Sequence, residues 1–230
     1  MNTKRQPSRI LGAAFLLQAV TSLVSGAIFL APLLVDGDMI ATMENIAGHA
    51  GQMRLAILGD VVTAMGIIFL AVVLYVSLKK QNERMALIAL GLYIFEAVLL
   101  AASRLFGYEL LLISQESVLT GHPANLQALG NFALETMNYG YTLHMLPFCV
   151  GAGLFYFLMY KSGIIARGFS LWALITVVIC LCATIVSLFG VGVPIFFYLP
   201  YAPFEFFIGI WILIKSVRDG AVADGSLIGK

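Results

Sequence analysis

Residues 54–80 read RLAILGDVVTAMGIIFLAVVLYVSLKK, and this stretch decides the fold class. From Val61 to Leu78 no side chain carries a charge, and the paired cations Lys79 and Lys80 close the run. Crossing a hydrocarbon core of about 30 Å takes about 20 apolar residues in helix, so the stretch reads as a membrane span with a cationic stop. One carboxylate, Asp60, is carried inside it.

Five further apolar runs lie on either side of it. With the quoted one they fall at roughly 9–33, 54–78, 85–112, 139–160, 168–190 and 195–216. The expected fold class is therefore all-α: a polytopic membrane protein of six transmembrane helices, with residues 1–230 forming a single transmembrane helical domain. Composition agrees. Of 230 residues, 61% are hydrophobic and 11% are charged, where a soluble domain has about 45–50% and about 25%. Too little polar surface exists to cover a water-soluble sphere. A net charge of +1 lacks the electrostatic footprint of a nucleic-acid binder, so the expected partner is the lipid bilayer and no nucleic acid. Cys149, Cys180 and Cys182 all sit in apolar stretches without a CxxC spacing, and they read as small packing residues.

Lys and Arg placement orients the chain. Lys4, Arg5 and Arg9 precede the first run, which at about 24 residues is too long for a signal-peptide core. Lys79, Lys80 and Arg84 lie between the second and third, Lys161 and Arg167 between the fourth and fifth, and Lys215, Arg218 and Lys230 after the sixth. Only Arg54 and Arg104 of the 13 basic residues fall elsewhere. The positive-inside rule then places both termini on the cytoplasmic side. On the outer side, connection 34–52 carries Met39, Ile40, Met43, Ile46 and Ala47 at helical spacing, which predicts a short amphipathic helix along the interface. Connection 113–138 breaks at Gly121-His122-Pro123; its second part, 124–137, is expected near the outer surface as a candidate lid, with a bend at Gly130 or Tyr139-Gly140.

Several stretches resemble a known family: Arg54-Leu-Ala-Ile-Leu-Gly-Asp60, Phe95-Glu-Ala-Val-Leu-Leu100, Gln127-Ala-Leu-Gly130, Tyr160-Lys-Ser-Gly-Ile-Ile-Ala-Arg-Gly-Phe-Ser-Leu-Trp172 and Phe204-Glu-Phe-Phe-Ile-Gly-Ile-Trp-Ile-Leu-Ile-Lys215. They are similar to the bacterial six-span membrane proteins grouped as domain of unknown function 4386. Two departures stand out: Ala166 where the family often has Pro, and Glu135-Thr-Met-Asn138 where it often has an Arg-Asp pair. The resemblance implies the six-span architecture and implies no activity.

Ionisable residues inside a span cost roughly 2.5–3.5 kcal/mol each on insertion scales, so they mark where function resides. Counting from the cytoplasmic cations at about 1.5 Å per residue, Glu96 and Glu205 lie about 15–18 Å in, and His144, Asp60 and Arg104 about 25–30 Å in. Arg54, Glu109, Glu135 and Asn138 come out near 34–39 Å, at the outer boundary. Asp60 and Arg104 are equidistant from residue 82, the tip of their hairpin, which predicts a direct ion pair that keeps Asp60 ionised. No basic residue shares the depth of Glu96 and Glu205, and hydrocarbon disfavours their charged forms. Pro203 is expected to free the Leu199 carbonyl beside Glu205. The aromatic crowd of Phe196, Phe197, Tyr198, Tyr201, Phe204, Phe206 and Phe207 reads as an interfacial belt or as the wall of an amphiphile site.

These residues predict a six-helix bundle with a polar pocket opening toward the outer face. Asp60, Arg104, Tyr141 and His144 line its upper part, with Glu96 and Glu205 at the floor. Its ligand is expected to be a small amphiphile, lipid or metabolite, bound or transported. No HxxxH, HExxH or paired-His spacing occurs, so no metal or other cofactor is expected. Two alternatives stay open at this level: an intramembrane lipid-modifying enzyme, and a structural membrane subunit without a ligand of its own.

Overall fold

The computed structural model describes residues 9–225, and from 216 onward only the backbone. Lys4, Arg5 and Lys230, and the side chain of Arg218, lie outside the described residues. The described chain is helical throughout, with no strand. It comprises α1 (Arg9–Leu23), continued by a π-helical segment (Val24–Leu30) and a 3-10 turn (Ala31–Leu33), α2 (Met39–Gly48), α3 (Ala50–Leu78) and α4 (Glu83–Thr120). After these come α5 (Ala124–Ser162), α6 (Arg167–Leu188), a 3-10 turn (Ile195–Phe197) and α7 (Ala202–Gly225). Six segments are long and apolar enough to cross a membrane: Arg9–Leu33, Ala50–Leu78, Glu83–Thr120, Ala124–Ser162, Arg167–Leu188 and Ile195–Lys215. Their number and order are those read from the sequence.

Two of them run much further than their apolar cores. α4 has 38 residues and α5 has 39, about 57–58 Å each, nearly twice a hydrocarbon thickness of about 30 Å. The connection expected at 113–138 shrinks to three residues, in which Gly121 (φ 77°) and His122 (φ 58°) take left-handed conformations and Pro123 starts the next helix. Polar composition misled the reading at 114–120. Ser114 and Thr120 instead donate to carbonyls four residues back, at 2.6 and 2.7 Å, and stay inside the helix. α5 is helical without interruption through Gly130 and Tyr139-Gly140, where a bend is expected. The helix-incompatible residue it contains is Pro147, whose ring nitrogen has no proton for the Leu143 carbonyl.

The short helix at 39–48 forms as expected, with Asp38 Oδ1 accepting from the Ala41 amide at 2.9 Å as its N-cap. It does not lie loose along an interface. Met43 and Ile46 are fully buried, and Ile46 packs with Leu33, Met53, Leu110, Leu111 and Ala133. A second tie comes from His122, whose Nε2 stands 3.3 Å from Glu44 Oε1, while Gln127 Nε2 donates to the His122 carbonyl at 2.6 Å.

The described residues divide into two compact units. Unit I takes residues up to Ala19, Gly66–Phe95 and Met145 onward; unit II takes Val20–Met65 and Glu96–His144. The core of unit II is the aliphatic cluster just named. That of unit I is aromatic, with the rings of Phe15, Tyr156, Trp172 and Tyr201 each against Phe204.

In unit I the sixth span is not helical from its start. A 3-10 turn and a further turn precede Ala202, so Pro200 lies before α7 and Pro203 within its first turn, where a missing N–H costs nothing. Leu199 therefore has no helical bond for Pro203 to free. The Pro200 carbonyl accepts from Trp172 Nε1 at 3.0 Å. Tyr201 and Phe204 are buried rather than set in an interfacial belt, whereas Phe196, Phe197 and Phe207 are exposed.

Candidate functional site

Glycine places the polar residues of unit II. Gly59 precedes Asp60 on α3, and a Cβ built there would stand 2.9 Å from Ser25 Cβ. The missing side chain lets α3 approach the π-helical segment, where Ser25 Oγ donates to the Ala56 carbonyl at 2.7 Å within hydrogen-bonding reach of Asp60. A π-helical turn is rare and concentrates at functional sites. Gly140 precedes Tyr141 on α5 in the same manner, and its Cβ would stand 2.8 Å from Ser103 Cβ on α4. That contact sets Arg104, the next residue of α4, against Tyr141.

The outcome is a compact charged site. Arg104 Nε lies 2.7 Å from Asp60 Oδ2, and each residue is only 5% exposed. The guanidinium carbon stands 5.5 Å from the centre of the Tyr141 ring, within range of a cation–π attraction. The Tyr141 ring lies 4.5 Å from that of His144, whose Nδ1 bonds the Tyr141 carbonyl. In neutral His144 that bond puts the proton on Nδ1 and leaves Nε2 as an acceptor. The buried Arg104 Nε makes no aligned hydrogen bond, despite its closeness to Asp60. Its pairing is one of charge proximity. Tyr141 is 45% exposed and gives the set an open edge.

Of the six residues singled out in the sequence, Asp60, Arg104, Tyr141 and His144 come together here. Glu96 is buried in unit II. Glu205 belongs to unit I, at the start of α7, where its oxygens accept from Tyr201 Oη at 2.8 Å and Gln18 Nε2 at 3.1 Å. Sequence reasoning missed Ser25, Ser103 and Gln18. A usable signal existed for two of these neighbourhoods, since Ser25-Gly26, Gly59-Asp60 and Gly140-Tyr141 each put a glycine beside a polar residue within a span. Among the described residues no group of three His, Cys, Asp or Glu side chains is placed to hold a metal.

The close approach at Gly140 is testable. Gly140→Ala is expected to lower stability by about 1–3 kcal/mol through overpacking against Ser103. Gly91, on α4 with nothing near its missing Cβ, supplies the opposite sign: Gly91→Ala is expected to raise stability by about 0.5–1 kcal/mol. Thermal unfolding in one detergent compares the two.

Six helices long and apolar enough to cross a membrane define a polytopic helical membrane protein. The chain belongs to the family described as Domain of unknown function (DUF4386), which matches residues 10–216. No curated protein and no solved structure matches it.

Proposed function

We propose that this chain binds or transports a small amphiphile, lipid or metabolite at Asp60, Arg104, Tyr141 and His144. The ligand carries an anionic or acceptor head for Arg104, and Glu96 is a further polar group of the same unit. One observation carries this reading. An ion pair, Arg104 Nε to Asp60 Oδ2 at 2.7 Å, is buried within two spans and abuts the Tyr141 ring, which is 45% exposed, and ionisable residues held inside spans mark binding sites and pathways. Tyr141 at the open edge supplies a ring for an apolar tail, and His144 Nε2 an acceptor for a hydroxyl or amine of the head. We further assign both termini to the cytoplasmic side on the distribution of Lys and Arg residues, and the protein to a bacterial cytoplasmic membrane on its resemblance to bacterial six-span proteins. The turns of α4 and α5 in excess of the hydrocarbon thickness then stand on the outer side, around the 121–123 turn.

Native mass spectrometry of the gently extracted protein tests the reading, with elemental analysis of the same sample. The expected result is a retained lipid-sized or metabolite-sized mass that falls at least tenfold in occupancy in Arg104→Ala. Bare wild-type protein would reject the ligand site in favour of a structural subunit. A stoichiometric metal would instead support an intramembrane enzyme.

A further inference from the structure

Unit I contains a second polar assembly that the proposed ligand site does not use. Glu205 is 8% exposed, with its two carboxylate oxygens engaged separately. Gln18 Nε2 on α1 donates to Oε2 at 3.1 Å, and Tyr201 Oη donates to Oε1 at 2.8 Å. Tyr156 Oη on α5 stands 2.6 Å from Tyr201 Oη. Tyr201 has one hydroxyl proton, and it is directed at Glu205. Tyr156 must therefore be the donor to Tyr201, which makes a polarised chain running Tyr156 to Tyr201 to Glu205.

The surroundings are otherwise apolar. α6 contributes the Trp172 ring and α1 the Phe15 ring, both against Phe204. α3 brings Gly66 against Gln18, a missing Cβ there being 3.6 Å from Gln18 Cα. α4 contributes Tyr93, whose ring packs on Phe148, which packs in turn on Tyr201. The groups bonded to Glu205 are neutral, and both described ion pairs lie elsewhere. Among the described residues, the carboxylate has two hydrogen bonds from neutral donors and no ion-pair partner.

This chain reads equally well in reverse. If Oε1 takes a proton from hydronium, one O–H bond of that ion breaks, water is released and one O–H bond forms on Glu205. The new O–H donates to Tyr201 Oη, the Tyr201 hydroxyl turns to donate to Tyr156, and the Tyr156 hydroxyl turns away from Tyr201. Gln18 remains the donor to Oε2 in both states. We propose that Glu205 is a proton-binding site of the membrane interior, with Tyr201 and Tyr156 as hydroxyls that reorient to hold either protonation state. A side chain that only braced α7 against α1 would need neither phenol.

Infrared difference spectra of the full-length protein in liposomes, taken between neutral and acidic buffer, test this without any ligand. The wild type is expected to gain a carboxylic C=O band on acidification. Glu205→Gln keeps the shape and both contacts, and is expected to lose that band. Gln18→Leu strips the donor from Oε2, and is expected to move the band to higher frequency. A wild-type spectrum identical to that of Glu205→Gln in the carboxylic region overturns the proposal. So does a band that ignores Gln18→Leu, which decides the matter alone if Glu205→Gln does not fold by circular dichroism.

Discussion

Arg104→Ala is expected to destabilise the protein by about 3–5 kcal/mol, because it leaves the Asp60 carboxylate buried without its partner. Both members are 5% exposed, so water cannot replace the missing charge as it would at a surface. Asp60→Ala is expected to cost a similar amount by stranding the guanidinium. The pair itself is another matter. Replacing a buried ion pair by apolar residues of similar volume is often neutral or stabilising, so the double variant Asp60→Leu/Arg104→Met is expected to recover most of the loss. Reversible unfolding in a bilayer mimic, run as a double-mutant cycle, checks this. A double variant no more stable than the worse single one would show that the charges matter separately. The same double variant serves the functional question, since it restores folding without restoring the guanidinium. Under the proposed function it folds and still fails to retain ligand.

The second large effect is expected at Phe204, which is 0% exposed. Its ring meets those of Phe15, Tyr156, Trp172 and Tyr201 at centroid distances of 6.5, 5.1, 5.7 and 6.0 Å. Lipid tails are as apolar as the side chains, so transfer contributes less here than in a soluble core, and van der Waals packing contributes more. Lipid cannot reach a fully enclosed cavity, however, and four rings would lose their contacts at once. Phe204→Ala is therefore expected to cost about 3 kcal/mol, at the low end of the range for buried aromatics. Phe196 provides the contrast. It stacks on Phe197 at 4.2 Å but is 56% exposed, and Phe196→Ala is expected to stay within about 0.5 kcal/mol. Parallel thermal melts in detergent distinguish the two, and equal losses would contradict the aromatic core described for unit I.

How legible the chain was varied with the kind of signal. Spans announced themselves through uninterrupted apolar runs, because hydrocarbon tolerates nothing else over that length. Their outer ends did not. Ser114, Ser117 and Thr120 read as loop composition, yet outside the hydrocarbon a polar residue costs a helix little, and α4 continues to Thr120. Glycine was ambiguous for a different reason. Gly130 and Gly140 suggest bends by residue type; in the structure a Cβ at either would stand 2.8 Å from a neighbour, Met39 Cε and Ser103 Cβ respectively. A missing Cβ signals flexibility or close approach equally well until the neighbour is known. Pro203 and Tyr201 were likewise placed by residue type, and the late start of α7 reassigned both.

Sequence alone determined that this is a six-span helical membrane protein, and that Asp60 and Arg104 stand at matching positions on one antiparallel hairpin. Both follow from one-dimensional quantities, the length of apolar runs and the rise per residue of a helix. Tertiary structure alone decided which polar residues share a site. It set Tyr141 and His144 beside the ion pair, and gave Glu205 to Tyr201 and Gln18. Depth along a helix says nothing of the direction in which a side chain points around it; that direction is settled where glycines let particular helix faces come within contact distance.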